Sequence, residues 1–393
     1  MVSKKVLPMT IAASLLSVAG AARADERITY KAAGSETTLT IKGYVKLDAI
    51  WSDVSAGTDS VGDQTLSINT VPVGPTAGEH KKNQFTMHAR QSRISLGTST
   101  PTSYGEMTTF IEGDFFGSDG NESTTNSSGF RIRHAYGSLG KLSAGQYWTN
   151  FFNEQAYVET VDFGGPVGEM FVRQAQLRWT EKLANGDWSV SAENPEAVVA
   201  VPGSATTFRS DSDHVPDLTA RTRLVSGGAV YSAGALLRNI HVDTAALGSS
   251  SRWGGAIALT GIVPAGARDD LRFDFNIGNA IGRYQNGGFF PDGYVDAQGR
   301  VQLARQTSGF AAYRHFWTPQ LRSTLALSAA TSNPPAGTAA GVNKSDRSEH
   351  VNLIWSPVPA VNLGAEYIHA QRTVVGGDRG SLNRIQFSAQ YSF

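Results

Sequence analysis

The sequence predicts an all-β protein: a transmembrane antiparallel β-barrel of 16 strands, with one connection folded inward as a constriction loop. Three observations carry this expectation. Apolar residues recur with period two, connections alternate between long and short, and the chain ends on an aromatic residue that closes a period-two run. A soluble sandwich also alternates, but it has no reason to put long connections on one side and tight turns on the other.

Composition alone points elsewhere. The 393 residues are 40% hydrophobic, with 34 Lys+Arg against 34 Asp+Glu, and contain no cysteine. Mean hydropathy is −0.22, and outside the N-terminus no apolar run reaches the ~18 residues of a membrane helix. Zero cysteine excludes a disulfide scaffold, a thiolate metal site and a cysteine nucleophile. The charge balance gives no nucleic-acid footprint.

Taken in order, residues 1–24 read as a signal peptide. Lys4 and Lys5 are its charged region, Val6 to Ala19 its apolar stretch, and Ala22-Arg23-Ala24 its cleavage site. The mature chain keeps 31 cations, 23 of them arginine, against 34 acids. Residues 25–37 form a short periplasmic segment, and 38–393 the outer-membrane barrel.

The first strand sets the pattern. Leu39, Ile41, Gly43, Val45, Leu47, Ala49 and Trp51 alternate with Thr40, Lys42, Tyr44, Lys46, Asp48 and Ile50. Further strands are expected at 84–99, 104–116, 129–139, 141–149, 172–181, 187–193, 217–226, 229–241, 252–264, 270–282, 307–317, 320–331, 348–356, 361–372 and 384–393. Long polar connections fall at 53–83, 117–128, 150–171, 194–216, 242–251, 283–306, 332–347 and 373–383, and tight turns between the others. Turns face the periplasm and loops the exterior in such a barrel. All seven tryptophans lie within about three residues of a predicted strand end, where an indole ring meets the headgroup level. Phe393 ends the last strand as a membrane-assembly signal of the kind that the barrel-assembly machinery reads.

In a barrel of this size the polar parity lines a channel, because hydrocarbon solvates neither a charge nor an unpaired backbone group. Parity therefore sends Lys42, Lys46, Arg131, Arg133, Arg178, Arg221, Arg223, Arg238, Arg272, Arg322, Arg372 and Arg384 to the lumen, with Asp48, Glu106, Glu112, Asp114, Asp274 and Glu366. An arginine wall suits anions, since its rigid fork matches a carboxylate. The alternative is that each arginine pairs with a wall carboxylate, leaving a general or sugar-selective pore. Arg90 and Arg93 break parity unless a bulge lies near Gln91-Ser92.

The connection at 150–171 is unusually aromatic, with Phe151, Phe152, Tyr157 and Phe163 beside Glu154, Glu159 and Asp162. It suits the constriction loop, whose acids would face the arginine wall and set up a transverse field. No catalytic, metal or cofactor motif emerges. The eight histidines lack ligand spacing, and HExxH, GxSxG and the P-loop are absent. A Ser-His-acid site assembled in three dimensions is the enzyme alternative, and Gly117-Ser-Asp-Gly-Asn-Glu-Ser reads as a solvated loop rather than a Ca²⁺ site.

With these residues in view, the chain resembles the DcaP-like family of Gram-negative trimeric porins. The resemblance rests on GYVKLDAIW from Gly43, HARQSRISLGTSTPTSYGEMTTFIEGDFFG from His88, FRIRHAYGSLGKLSAGQYWTNF from Phe130, ETVDFGGPVGEMFVRQAQLRWT from Glu159 and YRHFW from Tyr313. It implies a homotrimer in the bacterial outer membrane that takes up small anionic solutes, dicarboxylates in particular. By position it implies Arg90, Arg93, Arg131, Arg133, Arg173 and Arg178 as the basic side of the pore. Some members begin with a coiled-coil extension, which 25–37 is too short to form. A trimer would then be held by barrel walls, with Thr109, Gly113 and Ser138 as outward contact residues.

Overall fold

A strand crossing hydrocarbon must satisfy all its backbone groups within the sheet, so an open edge is not permitted. The computed structural model meets this requirement by closure. It describes residues 28–31, 36–55, 64–74, 81–118, 120–244 and 248–393; the signal peptide predicted at 1–24 lies outside them. Sixteen antiparallel strands form the wall: β1 (Thr38–Ser55), β2 (Lys81–His88 continued by Arg93–Thr102), β3 (Gly105–Asp114), β4 (Arg131–Leu139), β5 (Leu142–Trp148), β6 (Arg173–Leu183), β7 (Gly186–Glu193) and β8 (Asp217–Ser226). The second half is β9 (Ala229–Thr244), β10 (Gly248–Pro264), β11 (Asp270–Asn279), β12 (Arg305–Phe316), β13 (Leu321–Ser332), β14 (Asn343–Trp355), β15 (Val361–Val374) and β16 (Arg379–Ser392).

Closure is made by β1, which pairs with β2 on one side and β16 on the other. At the seam Gly43 and Phe393 exchange both backbone hydrogen bonds, 3.1 and 3.0 Å. Ile28–Lys31 then extends the β16 side by pairing with Thr38–Ile41.

The two faces separate as parity requires. Along β1, Lys46 and Asp48 are 4% and 0% exposed, whereas Val45 and Leu47 are 55% and 44% exposed. The second set is the lipid-facing one. Trp179, Trp188, Trp253, Trp317 and Trp355 stand on this outer surface. Trp148 does not, because its ring packs against Phe152, Tyr157 and Phe171 of the connection that follows it.

Two irregularities redirect side chains. The turn at Ala89–Ser92 interrupts β2, with Ser92 N–H donating to Ala89 O, so Arg90 and Arg93 need not share a strand face. A register shift between Glu112 and Gly113 leaves Arg133 as an extra residue in β4. Beyond it the parity of β4 flips, and Ser138 faces inward, hydrogen-bonded to Thr108 at 2.6 Å. The expected outward Ser138 is thus corrected; Thr109 remains outward, bonded to Thr98 at 2.6 Å, and the Phe130 ring lies over Gly113.

Strands also run further than predicted at the long-connection end. β9 reaches Thr244 and β10 starts at Gly248, while β15 reaches Val374 and β16 starts at Arg379. The long connections expected at 242–251 and 373–383 are therefore short. Above the bilayer the outer face meets water, so apolar alternation stops although the backbone ladder continues. Segments Val198–Ala200, Thr207–Arg209, Gly293–Val295 and Val301–Gln302 make a separate four-stranded sheet from two of the long connections.

Candidate functional site

The connection between β5 and β6 touches inward-facing side chains around most of the wall. Arg221 on β8 donates to the Phe152 carbonyl and Arg272 on β11 to that of Tyr157. Glu159 receives both Arg322 on β13, at 2.6 Å, and Arg314 on β12, at 3.3 Å. Asn352 on β14 donates to Glu159 O, and Glu366 on β15 accepts from Val161 N. Lys46 on β1 donates to the Val161 carbonyl at 2.7 Å. Asp162 accepts from Leu66 N at 2.9 Å and pairs with Arg384 on β16 at 3.2 Å. The chain then turns back, placing Val167, Gly168 and Met170 N–H groups on Ser348, Ser328 and Asp274. Buried backbone groups of a loop need such partners, and here inward wall side chains provide them.

This docking pairs Glu159 and Asp162 with wall arginines. Burial works to raise the Glu159 carboxyl, but the hydrogen bonds and charge of Arg322, then Arg314, carry it below the ordinary carboxylate value. Asp162 is 2% exposed and fully engaged. The expected face-to-face field is corrected accordingly: Glu159 and Asp162 lie in ion pairs, not across open water from the arginines. Glu154 is the least buried of the loop's acids, its side chain 40% exposed and 3.7 Å from Arg221.

Opposite these contacts, β2 to β6 carry a second group of cations. Arg133 pairs with Glu112 at 2.7 Å and Asp114 at 3.1 Å, Arg131 with Asp114 at 2.7 Å, and Arg93 with Glu112 at 3.4 Å. Arg173 has no carboxylate or hydrogen-bond partner among the described residues, and its Nη1 is buried unbonded. Instead its guanidinium stacks 4.7 Å from Trp148 and 5.1 Å from Phe171. Phe163 lies 5.4 Å beneath both Arg131 and Arg133 and 5.8 Å from Phe171. Three guanidiniums here share two carboxylates, and Arg173 adds a fourth cation. The loop's aromatic tip therefore carries an excess of positive charge, which cation–π contacts accommodate without neutralising it.

The candidates named from sequence thus divide. Arg131 and Arg133 stand over Phe163, joined by Arg93 through their shared Glu112 and by Arg173 through Phe171, and Tyr157 packs beside Phe171, its hydroxyl donating to Met170 O at 3.0 Å. Arg178 stacks 4.4 Å from Tyr147 and donates to the Trp148 carbonyl. Lys46, Arg272 and Arg322 instead hold the loop. Arg90 is 3% exposed and turned toward the 117–128 connection, 4.0 Å from Glu122. Lys42 is exposed near the short-turn end, away from the cluster. Sequence reasoning missed Arg314 and Phe171. Parity along YRHFW marks Arg314 as inward, and Phe171 belongs to the same aromatic run as Phe163.

Known proteins support this reading of the fold. The family described as DcaP outer membrane protein matches residues 13–393. Among solved structures, the outer membrane channel DcaP of Acinetobacter baumannii is similar at 23% identity, covering 93% of this chain and 99% of that one, with a TM-score of 0.77. An anion-selective porin from Comamonas acidovorans is 12% identical over 91% of this chain and 100% of its own, with a TM-score of 0.61. The trimer form of OmpT from Vibrio cholerae is 9% identical over 91% and 100%, with a TM-score of 0.56. No curated protein matches the chain in sequence. With a barrel of 16 strands and a family match across nearly its whole length, the chain belongs to the DcaP outer membrane protein family of outer-membrane porin channels.

Proposed function

We propose that the protein passes small anions by passive diffusion, dicarboxylates in particular, through a constriction formed by the 149–172 connection and the Arg93, Arg131, Arg133, Arg173 group. The observation that carries this reading is the unpaired Arg173 guanidinium beside an arginine group already in excess over its acids. A dicarboxylate spans two such charges and gains two charge-assisted contacts, each weakened by water in the channel. The anion-selective Comamonas porin shares the fold. Planar-bilayer reversal potentials under a salt gradient test the reading. Wild type is expected to be anion-selective, and Arg131→Ala/Arg133→Ala to lose or invert that preference because Glu112 and Asp114 remain. A cation-selective wild type defeats the proposal.

A second reading, a general or sugar-selective porin, is favoured by the full pairing of Arg272, Arg314 and Arg322. Liposome swelling separates the two: neutral sugars entering as fast as succinate favour the second. For assembly we infer a homotrimer in contact through the outward Thr98, Thr109 and Gly137 face of β2 to β4, where small residues permit close approach. Phe393, outward and sealing the seam, is the residue we assign to recognition by the barrel-assembly machinery.

A further inference from the structure

Outward positions of the membrane-crossing wall are mostly apolar or small, whereas the upper strand ends carry polar residues, among them one arginine each on β12 and β14. Arg305 and Arg347 both stand exposed on the outer face, and neither side chain has an ion-pair or hydrogen-bond partner among the described residues. Below Arg305, and lined on one side by Arg347, lies a groove of about 610 Å³. Register sets its shape: Phe275 opposes Gly309, Phe273 opposes Ala311, and on the far side Gly309 opposes Ala329 and Ala311 opposes Leu327. Gly309, Ala311 and Ala329 make a shallow floor, with the rings of Phe273 and Phe275 as one bank and Leu327 as the other.

The groove is graded along the membrane normal. Above its floor comes a cross-strand row of hydroxyls, Thr307 opposite Thr331 opposite Ser345, and above that the Arg305 cation. Arg347 opposes Ala329 and Glu349 opposes Leu327. Arg347 lies eight residues up β14 from Trp355 at the short-turn end. At ~3.3 Å per residue and a strand tilt of ~40°, that is about 20 Å of height, near the upper limit of an apolar band ~25 Å tall. Arg347 is therefore at headgroup level on the long-connection side, abreast of the upper end of the trough at Ala329, while Arg305 lies four residues further up β12 than Gly309 and the trough descends through Ala311, Leu327 and Phe273 to acyl level.

We propose that this groove binds one phosphorylated, acylated glycolipid of the outer leaflet, of the lipid A type. An acyl chain lies on Gly309, Ala311 and Ala329, where no side chain competes for the space. Arg305 and Arg347 take a phosphate, for which unpaired guanidiniums are suited. The hydroxyl row and the Glu349 carboxylate meet sugar hydroxyls and the amide N–H of an N-linked acyl chain, donors that a simple phospholipid headgroup does not offer in this arrangement. The face also lies across the barrel from β2 to β4, so a trimer built on that wall leaves the groove in contact with lipid.

The test is lipid retention by the purified full-length protein. Wild type in mild detergent is incubated with lipid A, with dephosphorylated lipid A, or with phosphatidylglycerol, and bound lipid is counted by native mass spectrometry. The expected result is about one lipid A per chain, with at least tenfold weaker retention of the other two. Arg305→Ala/Arg347→Ala and, separately, Ala329→Phe are each expected to lower lipid A retention at least tenfold, with single-channel conductance and heat-modifiable migration unchanged. Equal retention of dephosphorylated lipid A by wild type, which needs no variant to fold, overturns the proposal. So does undiminished binding by folded Arg305→Ala/Arg347→Ala. Dissociation of an oligomer by Ala329→Phe would identify a second copy as the occupant and equally refute it.

Discussion

Arg173→Ala is the sharpest perturbation of the constriction, because among the described residues this guanidinium is held only by Trp148 and Phe171. Its loss forfeits cation–π stacking of about 0.5–2 kcal/mol and strands no buried acid, so the barrel should fold. An anion passing about 6 Å from the charge gains about 0.7 kcal/mol at the dielectric of water and about 2.8 kcal/mol at an effective dielectric of 20. A Debye length of ~10 Å at 0.1 M salt roughly halves both figures. A cation is disfavoured equally, so the lower bound doubles to about 0.8 kcal/mol between the two signs, about fourfold in permeability ratio. The measurement is the reversal potential of reconstituted channels under a KCl gradient, with Arg300→Ala in an exposed loop as control. The anion-to-cation ratio should fall at least fourfold in Arg173→Ala and stay at the wild-type value in Arg300→Ala. A ratio unchanged within twofold would show that Arg173 does not face the ion path.

Other outcomes follow from the loop's anchorage. Glu159→Gln leaves Arg314 and Arg322 without their shared acid and should loosen the connection by about 2–3 kcal/mol, partial exposure placing it below the 3–5 of a fully buried pair; larger, noisier conductance steps would register it. Because the Glu159 carboxyl is held below its ordinary 4.5, its docking contribution is present above that pH and is lost as pH falls through the lowered value. The part of the conductance that depends on Glu159 should therefore be constant from neutral pH down to the ordinary carboxylate value of 4.5 and change only below it, a transition that Glu159→Gln abolishes. Gly43→Val brings a side chain against the Arg93 carbonyl and within 2.6 Å of the Phe393 ring, so heat-modifiable, membrane-inserted protein should drop while total synthesis does not.

Legibility followed the length scale of the force involved. Strand identity was readable because lipid on one side and water on the other write a period-two pattern into each crossing, as in Val45, Lys46, Leu47 and Asp48. The pattern failed where that contrast vanishes. Strand ends beyond the bilayer lost their alternation at Thr244 and Val374, and one extra residue at Arg133 reversed the facing of Ser138. The candidate site was legible by residue type but not by role. Lys46, Arg133 and Arg322 obey the same parity, yet Lys46 and Arg322 clasp the loop and Arg133 stands at the aromatic tip.

What the sequence by itself determined is the barrel, its 16 strands and the inward set of charges, since solvent contrast acts on each residue where it stands. Tertiary structure alone decided which charges remain unspent. Glu159 meets Arg322 across 163 positions of chain and Asp162 meets Arg384 across 222, whereas Arg173 meets only rings among the described residues. Pairing at such separations depends on the path of the 149–172 connection through the lumen, a property of the closed barrel that no local pattern encodes.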